Sequence, residues 1–274
     1  MTVLVSSRFS FALAHPASVL LQFEAADFAG QEVIDAATHI TPAGHFSRVS
    51  AQDDIGTRIW LHAQGRVEVE YQARVAARRK IADLTALDAV PLHRLPGPAV
   101  KFLFDSRYCH SSQFVEFSDQ TFGDLQGGAR AAAIRDWIHA NIDYVPGASN
   151  VSTTATDTFH AHEGICRDFT HLFVTLARAA AIPARYVACY APGVTPQDFH
   201  ALAAVYLAHA DGADEEGDPG AEPGSWQLVD ATGMADLANT AIIGVGRDAA
   251  DVSFITSFAP MQFEMSRVEV SLEA

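Results

Sequence analysis

The chain has 274 residues, 49% of them hydrophobic and 19% charged, a composition that supports a packed core in one large or two modest domains and excludes a disordered chain. Its formal net charge of -15 argues against nucleic acid or an anionic membrane surface as partner, because phosphate binding needs concentrated Lys and Arg. Three cysteines, Cys109, Cys166 and Cys189, are an odd number that describes no disulfide framework and suits a reducing compartment.

In chain order, the first 16 residues carry one basic side chain, Arg8, placed after the first apolar stretch instead of before it. They make a poor signal peptide, and no apolar run approaches the roughly 18 to 20 residues that span a bilayer, so a cytoplasmic location and no membrane partner are expected. From residue 9 to about 78, β-rich runs such as 18–23, 57–62 and 67–72, separated by Gly and Asp clusters, predict a small antiparallel β domain over residues 1–80. Residues 81–97 are proline-rich and aperiodic and read as a linker; residues 98–274 would then form a second domain. Within it the pattern predicts a helix over about 127–141 with Ile134, Trp137 and Ile138 on its buried side, an extended run near 150–156, and a helix over 166–181. Strands are expected near 184–191, 199–208, 225–230 and 240–246, with two more near 251–257 and 262–272. No internal repeat is visible.

The helix over 166–181 places a chemically useful residue. Phe169, Leu172, Phe173, Leu176 and Ala180 form the stripe of a helix packed on a core, with Gly164 just ahead and Pro183 just beyond. Cys166 therefore opens the helix, where free backbone N–H groups and the positive end of the macrodipole favour a thiolate and offer an oxyanion site. Such help matters because a free cysteine is only about 3% ionised at pH 7. A thiol nucleophile also needs a base, and the base an orienting carboxylate.

The segments 198–207 and 226–230 supply both. If they pair as an antiparallel hairpin with its turn centre near residue 215, reflection carries position 200 onto position 230, making His200 and Asp230 cross-strand neighbours. A slip of one residue would spoil the pairing. Six acidic residues between 211 and 222, with no base among them, read as a solvated loop at the turn.

The runs Gly164-Ile165-Cys166-Arg167-Asp168-Phe169, Ile182-Pro183-Ala184-Arg185-Tyr186-Val187, Asp198-Phe199-His200-Ala201 and Leu228-Val229-Asp230-Ala231-Thr232-Gly233 resemble, in order, the core motifs of the bacterial transglutaminase-like superfamily. The stretches Gly246-Arg247-Asp248-Ala249-Ala250-Asp251-Val252 and Ser106-Arg107-Tyr108-Cys109 are also similar to stretches of its bacterial branch. The resemblance implies an α+β, papain-like core, a nucleophile helix packed on an antiparallel sheet, preceded by the small β domain. It implies a triad of Cys166 as nucleophile, His200 as base and acid, and Asp230 as orienter, working without a cofactor on an amide of a peptide or protein. Tyr108 would lie near the site. Leu202 and Ala204 stand where a bulky aromatic and a glutamate often follow the His-Ala pair, and Leu202 would thereby reshape the acyl-donor pocket.

His160 and His162 read as loop residues lining the cleft mouth. With Cys166, Asp168 and His171 close behind they suggest a metal cluster, but no second ligand group has zinc-site spacing, and no metal is expected. The expected reaction is acyl transfer through a thioester, with water as acceptor in a peptidase or amidase. An amine acceptor in a transamidase and a silent binding module on the same fold are the alternatives.

Overall fold

The computed structural model describes residues 1–209 and 222–273. The predicted turn centre and all of the acidic run except Glu222 lie outside the described residues.

The first half of the chain is built on two long strands, β1 (Thr2–Leu21) and β4 (Thr57–Ala77), with β2 (Gln31–Ile40) and β3 (His45–Ser50) between them in sequence. Val3, Val5, Ser7, Phe9, Phe11 and Leu13 are buried on β1, and Val67, Val69, Tyr71, Ala73 and Val75 on β4, the period of two that puts one face of each strand on a core. The two pair antiparallel from Thr2 opposite Ala76 to Leu21 opposite Ile59, interrupted by one irregularity between Leu13 and Ala17. The short runs seen in the sequence are thus segments of 20- and 21-residue strands. A bulge keeps such a strand continuous while re-aiming its side chains, so the alternation breaks where the strand does not.

After β4 come α1 (Gly97–Val100), α2 (Val115–Phe122), α3 (Gly127–Asn141), β5 (Asp143–Tyr144), α4 (Ala155–Ala161), β6 (Glu163–Gly164), α5 (Cys166–Ala179), β7 (Ala184–Tyr190), β8 (His200–Ala208), β9 (Gly224–Val229), β10 (Ala241–Gly246), α6 (Ala249–Val252), β11 (Ile255–Ser257) and β12 (Gln262–Leu272). Strands β7 to β10 form an antiparallel sheet in the order β10-β7-β8-β9. On one face α5 is buried with α3: Leu172, Phe173 and Leu176 pack with Ile134, Ile138, Ala203 and Val205 in a single cluster. Each of those large side chains contributes on the order of 1.5–3 kcal/mol by leaving water.

The other face carries Val187, Cys189, Leu202, Ala204 and Ile242, and the first sheet reaches the core through Tyr190, Ala241 and Ile243, which cluster with Phe9 and Phe11.

Three local expectations change. The stretch 150–156, expected extended, turns into α4 at Ala155, because Thr154 and Asp157 form a capping box that satisfies the first N–H groups of that helix. The stretch 251–257 is split between α6, whose N–H of Ala250 is capped by the Asp248 carboxylate at 2.9 Å, and the short β11. The strand 262–272, placed by sequence in the unit 98–274, pairs with β1 from Val3 opposite Leu272 to Ala12 opposite Gln262. Sheet membership therefore crosses the expected boundary: β11 and β12 complete a six-stranded sheet with β1 to β4.

Candidate active site

The segment leading into α5 fixes where Cys166 sits. Tyr144 of β5 pairs in parallel with Gly164 of β6, and the Val145 N–H donates to the Gly164 carbonyl at 2.9 Å. Asp168, at the third position of α5, accepts from the Ile165 N–H at 2.9 Å and so caps the helix from inside. That carboxylate is buried and paired with Arg167 at 3.1 Å. A Cβ on residue 164 would lie 2.8 Å from the Asp168 Cβ, which is why the Gly-Ile-Cys sequence needs its glycine. Arg167 in turn donates to the carbonyls of Asn150 at 2.7 Å and Thr153 at 3.0 Å, tying the preceding loop to the helix start.

His200 opens β8 opposite Cys189 on β7. The hairpin register differs slightly from expectation: Ala203 faces Val229 and Ala208 faces Gly224, a mirror point at residue 216, so Asp230 is in line with Leu202. A mirror point moved by one residue moves the partner by two, and two residues along a strand return to the same face. His200 and Asp230 accordingly remain diagonal neighbours, with Nε2 of the ring 3.5 Å from Oδ2 of the carboxylate and both side chains almost wholly buried. At 3.5 Å this is an ion-pair contact longer than a well-formed N–H···O bond, and neither ring nitrogen makes a well-formed hydrogen bond to any of the described residues.

The Cys166 thiol lies beside the same ring. Burial disfavours the charged imidazole, but the side chains of Asp230 and Cys166 outweigh it and push the His200 pKa up to about 9. Asp230 is held by its own loop: Oδ1 accepts from the Thr232 N–H at 2.8 Å and hydroxyl at 2.7 Å, and Oδ2 from the Ala235 N–H at 2.8 Å. Burial alone would raise its pKa; His200 and these donors bring it below the ordinary carboxylate value.

The three thiols are free, and Cys166 alone is partly exposed. Cys109, whose pKa burial pushes up to about 12, and Cys189, pushed well above its ordinary value for the same reason, are sealed in the core.

The residues expected around the substrate are placed differently. Leu202 is 0% exposed, within the cluster on the far face of the sheet, and has no surface to offer a substrate. Tyr108 is buried and stacked on His171 at 4.9 Å, its hydroxyl donating to the Val151 carbonyl at 2.8 Å. It supports the loop that precedes α4, and the guanidinium of Arg167, the residue next to Cys166, lies 5.4 Å from its ring centre, so it stands near the site as a buried support. His160 is an exposed residue of α4, and His162, with φ of 57°, ends that helix and sets Nδ1 3.1 Å from the Asn141 carbonyl. Both belong to a helix and its cap and not to the loop expected.

Two contributors escaped the sequence. Tyr144 sets its hydroxyl beside both the backbone N–H and the thiol of Cys166; burial and that thiol raise its pKa to about 12. A two-residue strand leaves no periodic signal by which it could have been found. Thr232 had one: Asp-x-Thr at a strand end is a pattern for side chain to backbone bonding.

Residues 116–231 match the family model of the transglutaminase-like superfamily, an interval that contains Cys166, His200 and Asp230. The crystal structure of a candidate cysteine protease from Cytophaga hutchinsonii matches with a TM-score of 0.87 at 30% identity, covering 99% of this chain and 90% of that one. An uncharacterized protein of Mycobacterium leprae is 31% identical over 126 residues, 46% of this chain and 42% of the relative. One from Mycobacterium tuberculosis is 29% identical over 145 residues, 50% of this chain and 43% of the relative, so the chain spans less than half the length of these mycobacterial relatives. A helix headed by cysteine, packed on an antiparallel sheet that presents histidine and aspartate, occurs here within the matched interval and within a fold shared end to end with a solved bacterial protein. The chain belongs to the bacterial transglutaminase-like superfamily.

Proposed function

We propose that the protein is a cysteine-dependent acyl transferase acting on amide bonds of peptides or proteins, with water as the acceptor, a peptidase or amidase. The observation that carries this reading is the line of three side chains: Cys166 at the head of α5, the buried His200 ring beside it, and Asp230 at 3.5 Å from Nε2. The description of the Cytophaga relative as a candidate cysteine protease supports hydrolysis over amine transfer.

The chemistry follows from the geometry. Cys166 attacks the amide carbonyl as the thiolate, with His200 protonated, forming the C–S bond. The Cys166 N–H, at the first turn of α5, faces the developing oxyanion. His200 gives its proton to the departing amine as the C–N bond breaks, leaving a thioester and a neutral imidazole. That imidazole then takes a proton from water, hydroxide adds to the thioester carbonyl, and the C–S bond breaks to release the acid and the thiolate. Asp230, fixed by Thr232 and Ala235, holds the ring in orientation through both steps. The Tyr144 hydroxyl, beside the Cys166 N–H, is the second donor available to the oxyanion.

Intact-mass analysis of the protein incubated with a peptide library, with and without a primary amine, tests the reading. Transient acyl adducts on Cys166 that resolve to free acids in both conditions are expected. Products carrying the amine would assign the protein as a transamidase, and no adduct from any peptide would contradict acyl transfer.

A further inference from the structure

The run Ile182-Pro183-Ala184-Arg185-Tyr186-Val187 contains a charged residue that the candidate active site does not use. Ala184 packs with α5, so the alternation of β7 turns Arg185 to the opposite face of the sheet. There it lines a cavity of about 460 Å³ between the sheet and the segments around residues 28–30, 53–55 and 79, walled by Phe28, Ile55, Trp226 and Ile242. The volume lies within the roughly 300–1,000 Å³ usual for small-molecule sites, and mostly apolar walls with a few convergent polar groups are their usual make-up.

The charge in this cavity is unbalanced. The Arg185 side chain is 9% exposed, its guanidinium lies 4.0 Å from the centre of the Trp226 ring, and its Nε, sealed from solvent, makes no hydrogen bond to any of the described residues. Its ionic partner, Asp53, stands at 3.8 Å and is also bound by Lys101 and by Gln52. A second guanidinium, Arg79, lines the same cavity and is held by the Thr240 carbonyl and by Gln31 Oε1 at 3.1 Å, neither of them charged. Asp53 is the one carboxylate among the described residues lining the space. Burial, opposed by the distant Asp53, depresses the Arg185 pKa to about 10. A buried guanidinium beside an aromatic wall, its nearest carboxylate beyond hydrogen-bond distance at 3.8 Å, is a site for a planar anion with an apolar body, since a carboxylate on its terminal amino groups supplies a closer acceptor and the walls take the remainder.

We propose that this junction cavity binds an apolar carboxylate, its carboxyl group on Arg185 and its hydrocarbon part against Trp226 and Phe28, at a site separate from the Cys166 cleft. The probe is 4-phenylbutyrate, compared by isothermal titration calorimetry with the uncharged 4-phenylbutan-1-ol and with inorganic phosphate, using the full chain. Saturable binding of 4-phenylbutyrate at least tenfold tighter than either comparator is expected. It should be retained in Cys166→Ala and lost by tenfold or more in Arg185→Met. In Ala29→Trp, which fills the cavity from its exposed rim and leaves both arginines in place, a similar loss is expected even if Arg185→Met fails to fold. Equal binding of the alcohol or of phosphate, undiminished binding in Ala29→Trp, or no saturable binding would overturn the proposal.

Discussion

Among single residues, His200 is shaped directly by its neighbours Asp230 and Cys166. Its imidazole carries a pKa of about 9, burial opposing and Asp230 and Cys166 prevailing. The stabilisation this gives the fold is fully present below the ordinary histidine value of 6.5 and is lost as pH rises through about 9. For Asp230, whose folded pKa is depressed, stabilisation is present above 3.8 and is lost as pH falls through the lower folded value. The consequence for activity is an alkaline limb of kcat/KM near pH 9. Replacing Asp230 by Asn removes the largest stabiliser of the imidazolium, so that limb should move to lower pH by about one unit or more, with kcat reduced. A pH profile of the variant with its alkaline limb in place would show that Asp230 does not act on the ring. Cys166, His200 and Asp230 were legible as candidates because each stands at the end of a regular element. Tyr144 stayed hidden because its position depends on a two-residue pairing with Gly164, and Leu202 was misplaced because, although it shares a face of β8 with His200, it lies one step deeper in the sheet, buried with Val187, Ala204 and Ile242.

Elements were legible where periodicity was long. Helix α3 begins and ends at the expected residues, 127 and 141, and β7 to β10 fall within a residue of expectation. The hairpin between β8 and β9 was anticipated one residue off its true mirror point, an error that parity forgives. Short helices set by caps, α4 and α6, were not seen, because four to seven residues carry no periodic stripe. The start of α5 is the element boundary on which the site depends, and Gly164 is its tightest point. Substituting Gly164 by Ala brings a Cβ to 2.8 Å from the Asp168 Cβ, and either Asp168 or the strand must shift. A loss of about 1–3 kcal/mol in urea denaturation is expected, with a fall in activity larger than the fraction unfolded explains. Stability within about 0.5 kcal/mol of the parent, a change typical of unconstrained surface sites, would show that the approach is not tight.

On the scale of the whole molecule, the chain returns to its own beginning. Strand β12 lies along β1 and buries Val268 and Val270 in the core of the first sheet. No local pattern announces such a pairing, since its partners are separated by nearly the whole sequence and alternation reveals a strand but not its neighbour. The candidate site depends on the same long-range order: α5, β8 and the end of β9 meet only when the four-stranded sheet is closed against its helix. Its chemistry is therefore a property of the folded protein and disappears on unfolding. The rate of alkylation of Cys166 by iodoacetamide at pH 6, followed by peptide mapping in the native protein and in His200→Ala, tests the assembly most directly. Cys166 is expected to react at least tenfold faster than free cysteine in the native protein and to fall to or below the free rate in the variant, with Cys109 and Cys189 protected in both. A Cys166 no faster than free cysteine, or one indifferent to His200, would contradict the pairing of nucleophile and base.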